Sequence, residues 1–322
     1  MKPMNVLQQW SQERSRLAAA LAPRTVAIAL GPHRSVSGIR WRGAYIVTAA
    51  EALAGSDEVT LVSEGAETRV PVIACDLATD VALLRISDDQ THDAPIGGVA
   101  AAVNDNALEA GAGVIIVGRG RRGPRVGFGT VRVAGPAWRS RRGGEIAQRL
   151  EFEAALDRQF EGALVADLAG VPKAMLVPGP RGRLLGIPAV TVDRIVAAVE
   201  QHGYLPRPYL GLRLQPLWLD AATRARWGRS ARSMAAVAGV DPDSPADAAG
   251  VAPGDLLEAI DGVAIDDVEE LAAQLAQAVP GRMLQLRLRR GGQPQTLPIT
   301  VGESRQPRRQ GQGPCSQRSA PP

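Results

Sequence analysis

Aromatic residues, cysteine and histidine are scarce in this chain, and each shortage excludes a class of protein. Aromatics make up 3% of the 322 residues, so the core has to be aliphatic. The two cysteines, Cys75 and Cys315, are too few for a disulfide framework, and the apolar run around Cys75 predicts a buried core thiol. The histidines, His33, His92 and His202, fit no metal-ligand spacing, so we expect no metal and no cofactor.

Positive charge is carried almost entirely by arginine, because lysine occurs only at Lys2 and Lys173. The net charge is +4. Basic residues form no stripe with interleaved aromatics, which is the usual footprint of a nucleic-acid surface. The densest arginine cluster, from Arg119 to Arg125, lies between glycines and is interpreted as a solvated loop. We therefore expect no nucleic-acid partner.

Long apolar runs are missing as well. The segment from Met1 to Arg14 is polar and has no hydrophobic stretch of the kind that forms a signal peptide or a membrane span. These features predict a cytoplasmic protein without a membrane span. A processed or truncated N-terminus would instead allow a periplasmic location.

Glycine and proline are abundant, at 35 and 24 residues, and divide the chain into short apolar segments. Helical spacing of Leu7, Trp10, Leu17 and Leu21 predicts an N-terminal helix that Pro23 ends. Short strand patterns then continue to residue 188, which favours an all-β sandwich or pair of barrels. After a Pro-rich linker the pattern becomes mixed α and β. The predicted domains are an N-terminal helix at 1–22, a mainly β domain at 23–204, an α+β domain at 205–302 and a disordered tail at 303–322.

Two segments of the β domain carry a recognisable pattern. Residues 45–53 read Tyr-Ile-Val-Thr-Ala-Ala-Glu-Ala-Leu, and residues 76–86 read Asp-Leu-Ala-Thr-Asp-Val-Ala-Leu-Leu-Arg-Ile. They resemble the HtrA family of trypsin-fold serine proteases, in which the first motif ends in Thr-Ala-Ala-His and the second supplies an aspartate. The resemblance places Glu51 where the family has its general-base histidine. It places Asp80 on the acid that orients this histidine.

A third segment, residues 157–170, reads Asp-Arg-Gln-Phe-Glu-Gly-Ala-Leu-Val-Ala-Asp-Leu-Ala-Gly. It is similar, without a gap, to the family's Asn-Pro-Gly-Asn-Ser-Gly-Gly-Pro-Leu-Val-Asn-Leu-Asp-Gly. Glu161 falls on the nucleophilic serine and Gln159 on the glycine of the oxyanion hole. The resemblance thus implies a trypsin-like double β-barrel whose catalytic positions have been replaced.

The second half resembles a bacterial PDZ domain. Residues 209–212 read Tyr-Leu-Gly-Leu, residues 250–255 read Gly-Val-Ala-Pro-Gly-Asp, and residues 260–262 read Ile-Asp-Gly. The resemblance implies a groove that captures a polypeptide C-terminus or an extended peptide. The residues expected to form this groove are Tyr209, Leu210, Gly211, Leu212, Val268, Leu271 and Leu275.

Peptide hydrolysis by a trypsin-like fold needs a hydroxyl nucleophile, an imidazole base and backbone donors for the oxyanion. Glu161 has no hydroxyl, and Glu51 has nothing at position 161 to activate. Gln159 would resist the positive φ that glycine permits. The first hypothesis is therefore an HtrA-like protein without enzymatic activity, which acts as a peptide-binding adaptor or scaffold. A homotrimer is implied by the resemblance alone.

Two alternatives remain open at this point. The chain is an active serine endopeptidase with an atypical site, for which Ser35 and Ser37 near His33 are the available candidates. Otherwise Glu51, Asp80 and Glu161 hold a cation, since hard cations favour oxygen ligands. Like charges about 4 Å apart repel by about 4 kcal/mol at an effective dielectric of 20, so crowding these carboxyls requires relief. A retained proton, a swing of Arg158 or a bound cation would each provide it.

Overall fold

The computed structural model describes residues 5–32, 34–53, 55–63, 66–87, 107–140, 142–275, 278 and 280–304. The chain forms two compact units, whose described residues fall within 1–138 and 145–205 for the first and within 139–144 and 206–305 for the second. In the part of the chain described here, no helix is both long and apolar enough to cross a membrane.

The first unit begins with helix α1, Val6–Leu21. Asn5 starts it with a capping box, because its side chain accepts from the Gln8 backbone while the Gln8 side chain accepts from the Asn5 backbone. The predicted helix is thus present, but only part of its apolar face is covered. Leu21 is buried, whereas Trp10 is 58% exposed, with the Arg14 guanidinium 4.4 Å from its ring centre.

Six antiparallel strands close the first barrel in the order β1-β2-β3-β6-β5-β4. Aliphatic side chains fill it, and Trp41 is a large aromatic among its fully buried residues. The strands are β1 Thr25–Ala29, β2 Ser35–Arg42, β3 Tyr45–Thr48, β4 Glu58–Ser63, β5 Ala66–Asp76 and β6 Val81–Arg85.

Cys75 lies on β5 and is buried, as the sequence indicated. It takes part in a disulfide, however, so the prediction of a core thiol without a disulfide is wrong. Local apolar sequence reports burial but not which distant residue the fold brings near the sulfur.

The second barrel is closed in the order β11-β14-β13-β12-β7-β8, and β9 and β10 form a separate pair. Helix α2, Ala189–His202, follows it and buries Val192, Val196 and Val199. The strands are β7 Gly113–Gly120, β8 Gly123–Gly135, β9 Trp138–Arg139, β10 Glu145–Ile146, β11 Arg149–Glu153, β12 Leu164–Asp167, β13 Pro172–Pro178 and β14 Leu184–Pro188.

The second unit is an antiparallel sheet in the order β16-β17-β18-β20-β21, with β19 paired to β18 and a small β15-β22 pair. Its elements are β15 Arg207–Tyr209, β16 Leu212–Trp218, α3 Ala221–Trp227, β17 Ser233–Val240, α4 Pro245–Ala248, β18 Leu256–Ile260, β19 Val263–Ala264, α5 Val268–Leu275, β20 Met283–Arg290, β21 Gln293–Thr300 and β22 Gly302–Ser304. Helix α5 begins at Val268. Ile265 is buried before the helix, and Asp267 accepts from the Glu270 N–H at 2.7 Å, as an N-cap does.

Candidate functional site

The positions that resemble the histidine and the aspartate lie at the ends of neighbouring strands. Glu51 starts a short 3₁₀ turn after β3, and Asp80 immediately precedes β6. Because β3 and β6 pair directly, with Thr48 opposite Ala82, the two residues meet at one end of the first barrel. The Glu51 N–H donates to Asp80 Oδ1 at 2.8 Å.

Glu161 comes from the second barrel, in the loop before β12. The Ser37 N–H on β2 donates to the Glu161 carbonyl at 2.8 Å and ties this loop to the first barrel. Gly162 has φ +77°, and a Cβ there would lie 2.1 Å from the Ser37 carbonyl oxygen. Only glycine fits this approach. The glycine after the nucleophile position is therefore retained for a packing reason.

The three carboxyls influence one another electrostatically. The pKa of Asp80 is raised from 3.8 to about 7, mainly because the group is buried, with the negative charges of Glu51 and Glu161 raising it further. Backbone N–H groups of Glu51 and Ala50 oppose this rise because they donate to the carboxylate. Of the forms of relief expected from the sequence, a retained proton on Asp80 is the one that these contacts favour.

Arg34 provides a second form of relief, which the sequence did not predict. Its Nη2 lies 3.8 Å from Glu161 Oε2, and Glu161 is only 11% exposed. Arg34 precedes β2 and is far from position 161 along the chain, so no local motif could have identified it. Arg158, the residue expected in this role, has a side chain outside the described part of the structure.

The cation hypothesis for Glu51, Asp80 and Glu161 has no geometric support. Among the described residues, no group of three or more His, Cys, Asp or Glu side chains is arranged to hold a metal ion. Glu51 is exposed on its turn.

Gln159 lies in the 3₁₀ turn Arg158–Phe160. Its N–H donates to Asp157 Oδ1 at 2.9 Å, and its φ is not positive. The turn therefore uses this N–H internally, whereas an oxyanion hole would need it directed toward a reacting group.

Nor does β2 offer an exposed hydroxyl. Ser35 and Ser37 are both buried, and Ser37 Oγ accepts from the Arg119 N–H at 3.1 Å. His33 lies outside the described residues. A serine-type attack would thus need a nucleophile from elsewhere in the chain, because position 161 presents a carboxylate.

Strand β16 and helix α5 of the second unit carry most of the residues that the sequence assigned to peptide binding. Strand β16 is at an edge of the sheet, and α5 packs beside β16 and β17. Five aliphatic side chains line the region: Leu271 is buried, and Leu212, Leu214, Val268 and Leu275 are partly buried against the same core. The apolar residues that the sequence assigned to peptide binding all belong to or pack against this core: Leu210, Leu212, Val268, Leu271 and Leu275.

Backbone groups of β16 point out of this edge. The Asp241 N–H donates to the Gly211 carbonyl at 2.9 Å, so Leu212 and Val240 face each other as a pair without mutual hydrogen bonds. The N–H and C=O of Leu212 therefore point away from β17. Leu214 has the same orientation, because its partner Val237 donates instead to Asp255 at 2.8 Å.

The loop before β16 adds further donors. The N–H groups of Leu210 and Gly211 have no hydrogen-bond acceptor among the described residues. Gly211 has φ +81°, and a Cβ there would lie 2.2 Å from Ser244 Cβ. The Tyr209 hydroxyl donates to Asp241 Oδ2 at 2.9 Å, and burial together with this contact raises the pKa of Tyr209. Tyr209 thus fixes the loop, while the amides next to it remain available to a ligand.

Two closed six-stranded barrels followed by a six-stranded sheet with a flanking helix define a trypsin-like domain joined to a PDZ domain. Family models agree: residues 36–172 match the trypsin-like peptidase domain and residues 208–301 match the PDZ domain. The predicted fold class is confirmed.

Curated relatives share this arrangement. The chain is 28% identical over 265 residues to a "Probable periplasmic serine endoprotease DegP-like" of Brucella suis biovar 1 (strain 1330), which covers 80% of this chain and 50% of the relative. It is 27% identical over 256 residues to a "Probable periplasmic serine protease do/HhoA-like" of Haemophilus influenzae (strain ATCC 51907 / DSM 11121 / KW20 / Rd), covering 77% and 53%. The chain thus spans about half the length of the curated relatives it matches.

Solved structures show the same fold. "HtrA-type protease AlgW with decapeptide" superposes with a TM-score of 0.59 at 21% identity, covering 91% of this chain and 99% of that one. The serine endoprotease from Yersinia pestis gives a TM-score of 0.59 at 20% identity, covering 94% and 100%. In sequence and fold the chain is therefore similar to HtrA/DegP-like serine proteases with a PDZ domain, as its motifs indicated.

The names of these relatives contradict two predictions. The prediction that the chain is not an enzyme is wrong, because the relatives are named serine endoproteases and therefore point to a protease. Three replaced side chains show only what those side chains cannot do, and they do not decide the activity of the whole chain. The prediction of a cytoplasmic location is also wrong, because the relatives are named periplasmic. Where this chain begins does not decide its compartment.

Proposed function

We propose that this chain is a periplasmic HtrA/DegP-like protein that captures polypeptide C-termini in the groove of its PDZ domain. The observation that carries the proposal is the set of backbone amides at the edge of β16: the Leu212 N–H points away from β17, and the N–H groups of Leu210 and Gly211 have no acceptor among the described residues. A terminal carboxylate accepts hydrogen bonds from such a cluster, while the preceding residues extend the sheet along β16. The apolar lining favours an aliphatic C-terminal residue.

Two further observations support this function. One solved structure of the same fold is titled as a complex with a decapeptide. In this chain, the outward orientation of both Leu212 and Leu214 supplies the two consecutive hydrogen-bonding positions that an added antiparallel strand requires.

The test compares two fluorescein-labelled peptides that end in valine, one with a free C-terminal carboxylate and one amidated. With the full chain, we expect the amidated peptide to bind about tenfold more weakly, because charge-assisted hydrogen bonds to the carboxylate are lost. The variant Leu214→Ala should weaken the free-carboxylate peptide. Leu217→Ala, an exposed position on the same strand, is the matched control. Equal binding of the two peptides would refute capture of the C-terminus.

A second candidate function, endoproteolysis, is favoured by the names of the relatives. In this chain the nucleophile would have to come from outside position 161. The assay incubates the full chain with unfolded casein and a serine-directed fluorophosphonate probe, with a Glu51→His, Glu161→Ser double variant alongside. Endoproteolysis predicts casein fragments from the unmodified chain, and the labelled residue would identify the nucleophile. Intact casein under conditions where the double variant cleaves would refute this candidate. The homotrimer stays a prediction.

A further inference from the structure

An open cavity of about 500 Å³ lies on the first barrel, beside the carboxylate site. Its wall combines the end of β1, the start of β4 and the facing part of β5. The lining is mainly polar and charged, and it includes Leu30, Arg34, Ser56, Glu58, Thr60 and Arg69. Ala52, which directly follows Glu51, also lines it, so the cavity and the carboxylate site share a border.

The charges in this cavity are incompletely matched. Arg34 is 62% exposed and contacts Glu161 only at 3.8 Å. Within the described part of the chain, neither Arg69 nor Glu58 makes a hydrogen bond or an ion pair with a side chain. Arg34, Arg69 and Glu58 thus line one open, polar cavity, and Arg34 also lies near the Glu161 carboxylate. The hydroxyls of Ser56 and Thr60 add neutral donors.

We propose that this cavity is a subsite for a carboxylate side chain of an acidic polypeptide segment, held by Arg34 and Arg69. Guanidinium groups bind carboxylates through planar, often bidentate hydrogen bonds. Glu58 repels a second anion nearby, so the subsite takes one acidic side chain flanked by neutral or basic residues.

The ligand is a polypeptide because of where the cavity lies. A segment that lies over Glu51 and Glu161 and continues past Ala52 and Arg34 reaches the cavity, because both residues line it. This inference rests on the proposed function to the extent that the chain handles polypeptides. It concerns the trypsin-like domain, however, and not the PDZ groove.

The test measures fluorescence anisotropy of two labelled peptides with the full chain. One peptide carries a single glutamate among alanine, glycine and serine, and its twin carries glutamine instead. Both are amidated at the C-terminus, so that capture of a terminal carboxylate cannot contribute. We expect tighter binding of the glutamate peptide, and a preference that decreases as ionic strength rises.

Single replacements identify the groups responsible. Arg69→Gln and Arg34→Gln should each weaken the glutamate peptide by about threefold, the scale of an exposed ion pair, and leave the glutamine twin unchanged. Arg85→Gln, at an exposed position on β6 outside the cavity, is the matched control and should change neither. Arg69→Glu should reverse the preference in favour of a lysine peptide.

Equal binding of the glutamate and glutamine peptides would overturn the proposal. An equal loss in Arg85→Gln would also overturn it, because it would show attraction by overall charge alone. Because both peptides are amidated, failure here leaves the C-terminus test of the PDZ groove unaffected, and the reverse also holds.

Discussion

The protonation of Asp80 should control the stability of the trypsin-like domain near neutral pH. Its pKa is raised to about 7 in the folded chain, against 3.8 for an unperturbed aspartate. The folded state therefore binds more protons than the unfolded state between these values, and the free energy of unfolding falls as pH rises through this range. The contribution is fully present below about pH 4 and is lost as pH passes about 7.

The magnitude follows from the size of the pKa difference. About three units correspond to about 4 kcal/mol, which is an upper limit because the loop can relax and admit water when Asp80 ionises. The variant Asp80→Asn removes the ionisation and keeps an acceptor oxygen for the Glu51 N–H. Asparagine also tolerates the positive φ of +59° at this position. We expect the variant to match the unmodified chain near pH 4 and to exceed it by up to about 4 kcal/mol at pH 8.

The assay is urea denaturation of both proteins at several pH values between 4 and 8.5. Glu109→Gln, at an exposed carboxylate of the same unit, is the control and should run parallel to the unmodified chain. Glu161→Gln removes one of the two charges that raise the pKa of Asp80, so this pKa should fall in an NMR titration. Parallel pH curves for Asp80→Asn and the unmodified chain would refute the argument that Asp80 is held protonated.

Two pairs of glycine replacements separate backbone strain from steric contact. Gly162→Ala should lower the free energy of unfolding by about 3 kcal/mol or more, because the added Cβ would overlap a carbonyl oxygen of β2. Gly182 has a similar φ but open space around it, so Gly182→Ala should lower this free energy by about 1 kcal/mol. Denaturant titration measures both, and equal losses would mean that the loop shifts freely. Gly211→Ala should abolish binding of a free C-terminus, because its Cβ would overlap a serine side chain, whereas Gly250→Ala should retain it. Peptide titration distinguishes the two variants. Retained binding in Gly211→Ala would show that this loop does not bind the C-terminal carboxylate of the peptide.

Local sequence predicted the elements well where one segment decides its own structure. The capping box at Asn5 and Gln8 fixes the start of α1, and the Tyr-Leu-Gly-Leu segment at 209–212 forms the loop and strand start expected of it. At position 162, the positive φ and the close approach to β2 admit only glycine.

Contacts between residues far apart in the chain could not be predicted from the local sequence. Arg34 lies 3.8 Å from Glu161, although the two residues share no motif. The N–H of Gln159 is used within its own turn, which depends on the conformation of Asp157. Each outcome depends on distances between residues that are far apart, or on a loop conformation, and neither has a periodic signal in the sequence.

By itself, the sequence determined the two-domain architecture and the identity of the side chains at positions 51, 80 and 161, because these depend on local pattern and residue type. Only the tertiary structure decided that burial and two neighbouring charges raise the pKa of Asp80, that Arg34 relieves Glu161, and that Arg34 and Arg69 face one cavity. Electrostatic energies depend on distance and solvent exposure, and the closed barrel sets both.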